Sequence, residues 1–315
     1  MTSKLRESPA PERAPDAATY SPTSSREVAP SAPDWFHDAL AMPFETGSVH
    51  VCGVDISYLA WGPPSGSSTV LVHGGAAHAM WWAPLAALLD PTRRVIAMDL
   101  SGHGLSGRRD AYSADLWSEE IAAVALATSD GPPTIIGHSL GGIVLSHGAQ
   151  THGHLFERIV LVDSPVWGAA PAPEGALARV SGRPQRAYPD LATAVNRFRL
   201  VPMQECANQW YVDHVAHHGL VLGTDGWRWR FDPEIFALGR GAHQLVRFSG
   251  DLDASGCPWS VVMGGRSYLA GAARRTFASR RGSPLRFVPD AAHHVMLDQP
   301  LALLENLQDL LATQP

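Results

Sequence analysis

Short apolar runs that alternate with helical segments constrain the fold of this 315-residue chain more than any other feature. The runs Val95–Met98 and Ile159–Val162 contain no polar residue, whereas a strand with one solvent-exposed face would alternate apolar and polar residues. Strands covered on both faces and separated by helices form a parallel, doubly wound sheet. The sequence therefore predicts an α/β fold with strands near Val49–Cys52, Ile56–Trp61, Thr69–Val72, Arg94–Met98, Thr134–Ile136, Arg158–Val162, Trp259–Met263 and Leu285–Val288.

Two stretches interrupt this pattern and divide the chain. Residues 1–33 are rich in Pro, Ser and Ala with almost no large apolar side chain, so we expect a disordered tail. Residues 165–256 contain helical patches, many Pro and Trp, and no convincing strand. An insertion of that length exceeds an ordinary connection and predicts a helical cap over one sheet edge. Residues 34–164 and 257–315 would then form the core.

Charge and residue usage exclude several classes of protein. The only lysine is Lys4, in the predicted tail, which excludes a P-loop, a protein kinase and pyridoxal chemistry. The net charge of −6 gives no reason to expect a nucleic acid or an anionic membrane as partner. The cysteines Cys52, Cys206 and Cys257 are far apart, and no apolar signal segment or membrane span is evident. We expect a cytoplasmic protein without disulfides, metal or cofactor.

The segment Gly137–Gly142 (GHSLGG) carries the strongest chemical signal in the chain. It fits the pattern G-x-S-x-G, in which a serine sits on a sharp turn between a strand and a helix. The pattern alone is weak. Here it directly follows the apolar strand Thr134–Ile136 and opens a helix, so we predict that Ser139 is a nucleophile.

Two further segments would serve such a serine. His73–Gly75 follows an early strand, where a backbone N–H can stabilise an oxyanion, and we expect the Gly75 and Leu140 N–H groups to form this hole. The segment 292–294 (AHH) follows the last strand and offers an imidazole base, in the chain order expected on such a sheet.

Together with the turn Asp99–Ser106, these motifs resemble the α/β-hydrolase family over residues 48–164 and 258–312. The resemblance implies a mostly parallel eight-stranded sheet with helices on both faces, a lid after the sixth strand, and Ser–His–acid catalysis. It prefers His293 over His294 as the base. It also makes the formal GxGxxG of residues 102–107 a structural turn anchored by Asp99, because no helix opens at these glycines.

The chain departs from the family pattern at the third catalytic residue. Many members place the acid just after the seventh strand, but residues 254–289 contain neither Asp nor Glu. Some relatives, such as many haloalkane dehalogenases, place it after the sixth strand, where this chain has Asp163. We therefore predict Asp163 as the acid, with Asp251, Asp253 and Asp290 as less favourable competitors.

The predicted function is that of a cofactor-free serine hydrolase that cleaves a carboxylic ester or lactone. Alternatives are a C–C bond hydrolase of a diketone, and a non-catalytic ligand-binding protein or cyclase on the same fold. Tryptophans near the site and in the cap suggest a pocket for a small apolar or aromatic substrate, although they could simply pack the cap. The pocket candidates are Met80, Trp81, Trp82 and Trp167, with Trp210, Trp227 and Trp229 further along the cap. The oligomeric state stays open.

Overall fold

The computed structural model describes residues 32–165, 185–236, 252–278 and 285–313. Its strands follow the apolar runs of the sequence closely, and three of them have the predicted bounds. The strands are β1 (Glu45–Val51), β2 (Val54–Trp61), β3 (Ser68–Val72), β4 (Arg94–Met98), β5 (Thr134–His138), β6 (Arg158–Val162), β7 (Leu220–Gly223), β8 (Gly226–Trp229), β9 (Trp259–Gly264) and β10 (Leu285–Val288).

Eight of these strands form one sheet in the order β1-β2-β4-β3-β5-β6-β9-β10. Only the pairs β1–β2 and β2–β4 are antiparallel, and all the other neighbours run parallel. The predicted mostly parallel, eight-stranded α/β-hydrolase sheet is therefore confirmed. Because the strands are parallel from β4 to β10, the carboxyl ends of β3, β5, β6 and β9 meet at one edge.

Helices cover both faces of this sheet and bury it in two apolar clusters. Leu71 of β3 packs into one cluster, while its neighbours Val70 and Val72 pack into the other, as alternating side chains of a strand must. The helices are α1 (Asp34–Ala41), α2 (Ala83–Leu89), α3 (Ala114–Thr128), α4 (Leu140–His152), α5 (Leu191–Val195), α6 (Gln209–His218), α7 (Ala270–Phe277), α8 (Val295–Asp298) and α9 (Pro300–Ala312). None of these helices is long and apolar enough to cross a bilayer.

The chain between β6 and β9 contains α5, α6 and an antiparallel hairpin of β7 and β8. The sequence analysis expected helices here and missed the hairpin. Its strands are only four residues long, and a two-residue turn at Thr224 and Asp225 joins them. Such short strands do not produce a clear alternation of polar and apolar residues.

Helix α6 is fixed to the rest of the molecule on two sides. The Tyr211 hydroxyl donates to the Trp81 carbonyl over 2.8 Å, and the Asn208 side chain donates to the Leu297 carbonyl over 2.7 Å. On the other side, Phe36 of α1 packs edge-on against Trp210, with ring centroids 4.5 Å apart. Helix α6 is therefore held by both the sheet-covering helices and α1.

Candidate active site

Ser139 occupies the sharp turn between β5 and α4, as the motif predicts. Its backbone has φ 51° and ψ −112°, a strained conformation that a close-packed surrounding must hold. A Cβ added to Gly137 would lie 2.7 Å from the carbonyl carbon of Gly141. A Cβ added to Gly141 would lie 2.8 Å from the carbonyl oxygen of Val72. Only glycine therefore fits at these positions, because the backbone segments pass too close for a side chain.

His293 lies between Ser139 and Asp163. Its Nε2 is 3.0 Å from the Ser139 Oγ, and its Nδ1 is 2.7 Å from Asp163 Oδ2. A carboxylate can only accept at this distance, so Nδ1 carries the proton and Nε2 presents a lone pair to the serine hydroxyl. These three residues, predicted from separate segments, form one continuous hydrogen-bonded chain.

Asp163 is fully buried at the end of β6 and its carboxylate is held by two further donors. The Gly264 N–H donates to Oδ1 over 2.9 Å, and the Ser267 hydroxyl donates to Oδ2 over 2.7 Å. Gly264 is the last residue of β9, and Ser267 lies in the loop that follows, where many family members carry the acid itself. The absence of an acid from this loop is visible in the sequence, but its contacts with Asp163 are not.

The competing acids do not reach His293 in the described part of the chain. Asp253 accepts a hydrogen bond from the Trp259 indole over 3.1 Å, and Asp290 is exposed. Asp251 lies outside the described residues. Among the described residues, the geometry therefore favours Asp163 over Asp253 and Asp290.

The loop after β3 is held by its own histidine. His73 Nδ1 donates to the Gly74 carbonyl over 2.7 Å, and His73 Nε2 accepts the Leu100 N–H over 3.1 Å. A Cβ built on Gly75 would lie 3.7 Å from the Leu140 side chain, so the two predicted oxyanion donors are neighbours. Leu140 is the first residue of α4, where a backbone N–H has no partner within the helix.

The formal GxGxxG is a structural turn, as predicted. Asp99 Oδ1 accepts the Ala79 N–H over 2.6 Å, and its Oδ2 accepts the Leu105 N–H over 2.8 Å. The Ser106 hydroxyl donates to the Asp99 carbonyl. Asp99 thus ties this turn to Ala79, a few residues beyond the His73–Gly75 segment.

A cavity of about 480 Å³ lies over Ser139 and includes Gly75 in its wall. Of the predicted pocket residues, Trp81 lines it, as does Trp229 from the hairpin. The prediction was wrong for Met80 and Trp82, which are buried in the core because they face inward where the chain enters α2. Trp167 lies outside the described residues.

Two other histidines stand beside the triad, and the sequence analysis missed their arrangement. His138 Nε2 donates to the His293 carbonyl over 3.0 Å, and His294 Nε2 lies 3.3 Å from the Pro202 carbonyl. Both Nδ1 atoms are therefore unprotonated, and both are buried without a hydrogen-bond partner among the described residues. No local sequence signal fixes these tautomers, because their carbonyl partners are distant in the chain.

Burial keeps these two imidazoles neutral. Desolvation and the neighbouring His293 lower the pKa of His138 to about 3, and burial likewise holds the pKa of His294 well below its usual value. One ring nitrogen from each of His138, His293 and His294 lies within 4.8 Å of the others, a spacing that could hold a metal ion. No metal site is predicted from the sequence, because this cluster forms only where β5 meets the loop after β10 in the fold.

Fold and site together define a hydrolase of the α/β type, with a serine at the nucleophile position. The profile of the Alpha/beta hydrolase family matches residues 69–306, and the chain belongs to this family. A curated relative, esterase Rv0045c of Mycobacterium tuberculosis, is 30% identical over 277 residues, which cover 82% of this chain and 87% of the relative. The protein is therefore an enzyme, a hydrolase of the esterase type.

Solved structures agree with this assignment. The structure of the M. tuberculosis esterase Rv0045c superimposes with a TM-score of 0.64 at 25% identity and covers 89% of this chain and 96% of that one. The thioesterase domain from the curacin biosynthetic pathway gives a TM-score of 0.67 at 22% identity, covering 84% of this chain and 99% of that one. The second likeness concerns the fold alone.

Proposed function

We propose that this protein is a serine carboxylic ester hydrolase that works through an acyl-enzyme, with Ser139, His293 and Asp163 as its triad. The observation that carries the proposal is the unbroken hydrogen-bonded chain from the Ser139 hydroxyl through His293 to Asp163. No other group in the described residues offers a serine with a base and an orienting acid in this order.

The chemistry follows from the tautomer of His293. Its Nε2 removes the proton of the Ser139 hydroxyl as the oxygen attacks the ester carbonyl. The Gly75 and Leu140 N–H groups would stabilise the oxyanion, and the Asp163 carboxylate stabilises the imidazolium that forms. His293 then gives the proton to the leaving alcohol, and water hydrolyses the acyl-enzyme by the same route.

We also propose that the segment 165–256 acts as a cap. Its described residues, from α5 through the β7–β8 hairpin, supply much of the cavity wall opposite Ser139. The cytoplasm stays our expected compartment, supported by three cysteines that are all free.

The test combines turnover with covalent labelling. Wild type should hydrolyse 4-nitrophenyl esters of some acyl length and react with a fluorophosphonate probe, whereas Ser139→Ala should do neither. Ser146→Ala is the matched control, because its buried hydroxyl lies in α4, the helix that follows Ser139, and has no hydrogen-bond partner among the described residues. Activity of Ser139→Ala within tenfold of wild type would refute the nucleophile. Labelling without turnover of any ester would favour a specialised substrate, and the absence of both labelling and turnover would favour the binding-protein alternative.

A further inference from the structure

The cavity over Ser139 combines an apolar wall with a positive one. Aromatic side chains from both core and insertion line it, among them Trp81, Phe198, Trp229 and Phe236. Four arginines line it as well, namely Arg186, Arg197, Arg199 and Arg230. No Asp or Glu of the described chain belongs to this wall.

This concentration of positive charge is local. The whole chain carries a net charge of −6, so a uniformly basic surface does not explain it. His138 and His294 also line this cavity, and because both imidazoles are neutral they do not change its charge. A ligand inside the cavity therefore meets a positive field in an otherwise acidic protein.

Three of these arginines lack a carboxylate partner in the described part of the chain. Arg199 donates to the carbonyls of Asn196 and Phe198 over 2.9 and 2.6 Å, which fixes its guanidinium without neutralising it. Neither Arg186 nor Arg197 forms an ion pair with a described residue. Arginines outside the cavity are commonly paired, as shown by Arg94 with Glu45, Arg109 with Glu120 and Arg228 with Asp225.

We propose that the substrate is an ester that carries a second, anionic group, a carboxylate or a phosphate, which these arginines bind while its apolar body lies against the aromatic wall. The inference rests on the proposed esterase function and specifies its substrate class. Guanidinium groups suit it because their planar N–H donors match carboxylate and phosphate oxygens. Arg186, Arg197 and Arg199 are exposed to solvent, so an uncharged ester would leave them hydrated and would gain no attraction from them.

The first measurement is a substrate comparison. Half-esters of succinic, glutaric, adipic and suberic acid, each with one 4-nitrophenyl ester and one free carboxylate, are compared with the same molecules capped as methyl diesters. For wild type, kcat/KM should be at least about tenfold higher for one half-ester than for its diester. The chain length of the best half-ester then reports the distance between Ser139 and the arginines that bind the carboxylate. The preference should shrink in 0.5 M NaCl, because salt screens partly exposed charges.

The second measurement uses charge variants. Arg197→Gln and Arg199→Gln should each lower the half-ester to diester ratio about three- to tenfold, mainly through KM. Arg197→Lys should keep most of the ratio, because the charge remains. The matched control is Arg275→Gln, which removes an exposed arginine of α7 that lies outside the cavity wall. It should leave the ratio unchanged.

Binding separates failure of this inference from failure of the proposed function. Calorimetric titration of the Ser139→Ala variant with half-ester and diester measures the anion preference without turnover. Equal or weaker binding of every half-ester, with an active wild type, would overturn the inference and leave the esterase intact. Tight half-ester binding by a chain that hydrolyses no ester would overturn the function instead. Esters with a terminal phosphate in place of the carboxylate identify which anion fits better.

Discussion

At the scale of single residues, the position of the acid is the feature on which this site departs from many of its relatives. Asp163 lies at the end of β6, and two groups donate to its carboxylate, the Gly264 N–H at the end of β9 and the Ser267 hydroxyl in the loop that follows. Two donors and His293 thus occupy three of the roughly four acceptor sites of one buried carboxylate. The imidazole is oriented by an acid that is itself fixed in position.

Replacing Asp163 by Asn should therefore cost roughly 10³–10⁴-fold in kcat, as loss of a triad acid does elsewhere. An amide can donate to Nδ1, which favours the wrong tautomer of His293 and removes the charge that stabilises the imidazolium. The measurement is steady-state hydrolysis of the best 4-nitrophenyl ester. Asp253→Asn is the matched control, since an amide oxygen can still accept the Trp259 indole N–H. If Asp163→Asn keeps more than a tenth of the activity, another acid serves His293.

Sequence alone could propose Ser139 and Asp163 because each directly follows a strand with a clear apolar run, and His293 because it follows the last strand. It could not predict which residues surround the triad. His138 and His294 acquire their tautomers from the carbonyls of His293 and Pro202, and the cavity arginines meet only after the insertion folds. Met80 and Trp82 were misplaced for a related reason, since their sequence position beside the oxyanion loop does not reveal which way they face.

At the scale of elements, the packing of α4 on the end of β3 positions Ser139, the proposed nucleophile. A Cβ at Gly141 would lie 2.8 Å from the carbonyl oxygens of Val72 and His73, and backbone atoms cannot move aside as a flexible side chain can. Gly141→Ala should lower the free energy of unfolding by about 2–4 kcal/mol and abolish most ester hydrolysis. Urea denaturation and the ester assay measure the two effects.

Gly131→Ala is the control for that substitution. A Cβ there meets nothing within 4 Å, so stability should change by no more than about 0.5 kcal/mol. Equal effects of the two alanines would mean that the β3–α4 contact does not constrain the turn at Ser139.

The elements themselves show where periodicity carries information. Strands β4 and β6 have their predicted bounds because their buried apolar runs are followed at once by Asp99 and Asp163. Strand β10 has its predicted bounds because Pro284 and Pro289 flank it in the sequence. Strand β1 begins at Glu45, four residues before the predicted start, since its first residues are exposed at the sheet edge and need no apolar side chain. The β7–β8 hairpin was missed because four-residue strands are too short to display a period.

At the scale of the whole molecule, buried neutral histidines tie stability to pH. Burial is the largest cause that lowers the pKa of these residues, to about 4 for His103 and about 3 for His138. The same direction applies to four more, His73, His78, His214 and His294. Below about pH 6.5 the unfolded chain binds protons that the native protein cannot, so acid favours unfolding.

We expect the free energy of unfolding to fall steeply between pH 6.5 and 4, by up to about 1.4 kcal/mol per pH unit for each such histidine. Glu120 and Asp298, whose pKa values burial raises, act in the opposite direction but are fewer. Urea denaturation at half-unit pH intervals gives the slope, which counts the protons taken up on unfolding. A free energy that stays flat from pH 6.5 to 5 would contradict this account.

The contact between α1 and α6 bears on how this enzyme can be re-engineered. Phe36 lies against Trp210 and Tyr211, with ring centroids 4.5 and 5.0 Å apart. Helix α1 precedes the first strand of the sheet in the sequence, whereas α6 lies in the insertion between β6 and β9. A chimera that imports only the insertion of a relative would expose Phe36 and leave the imported α6 without its partner. Specificity grafts on this scaffold should therefore move α1 and the insertion together, as a single unit of exchange.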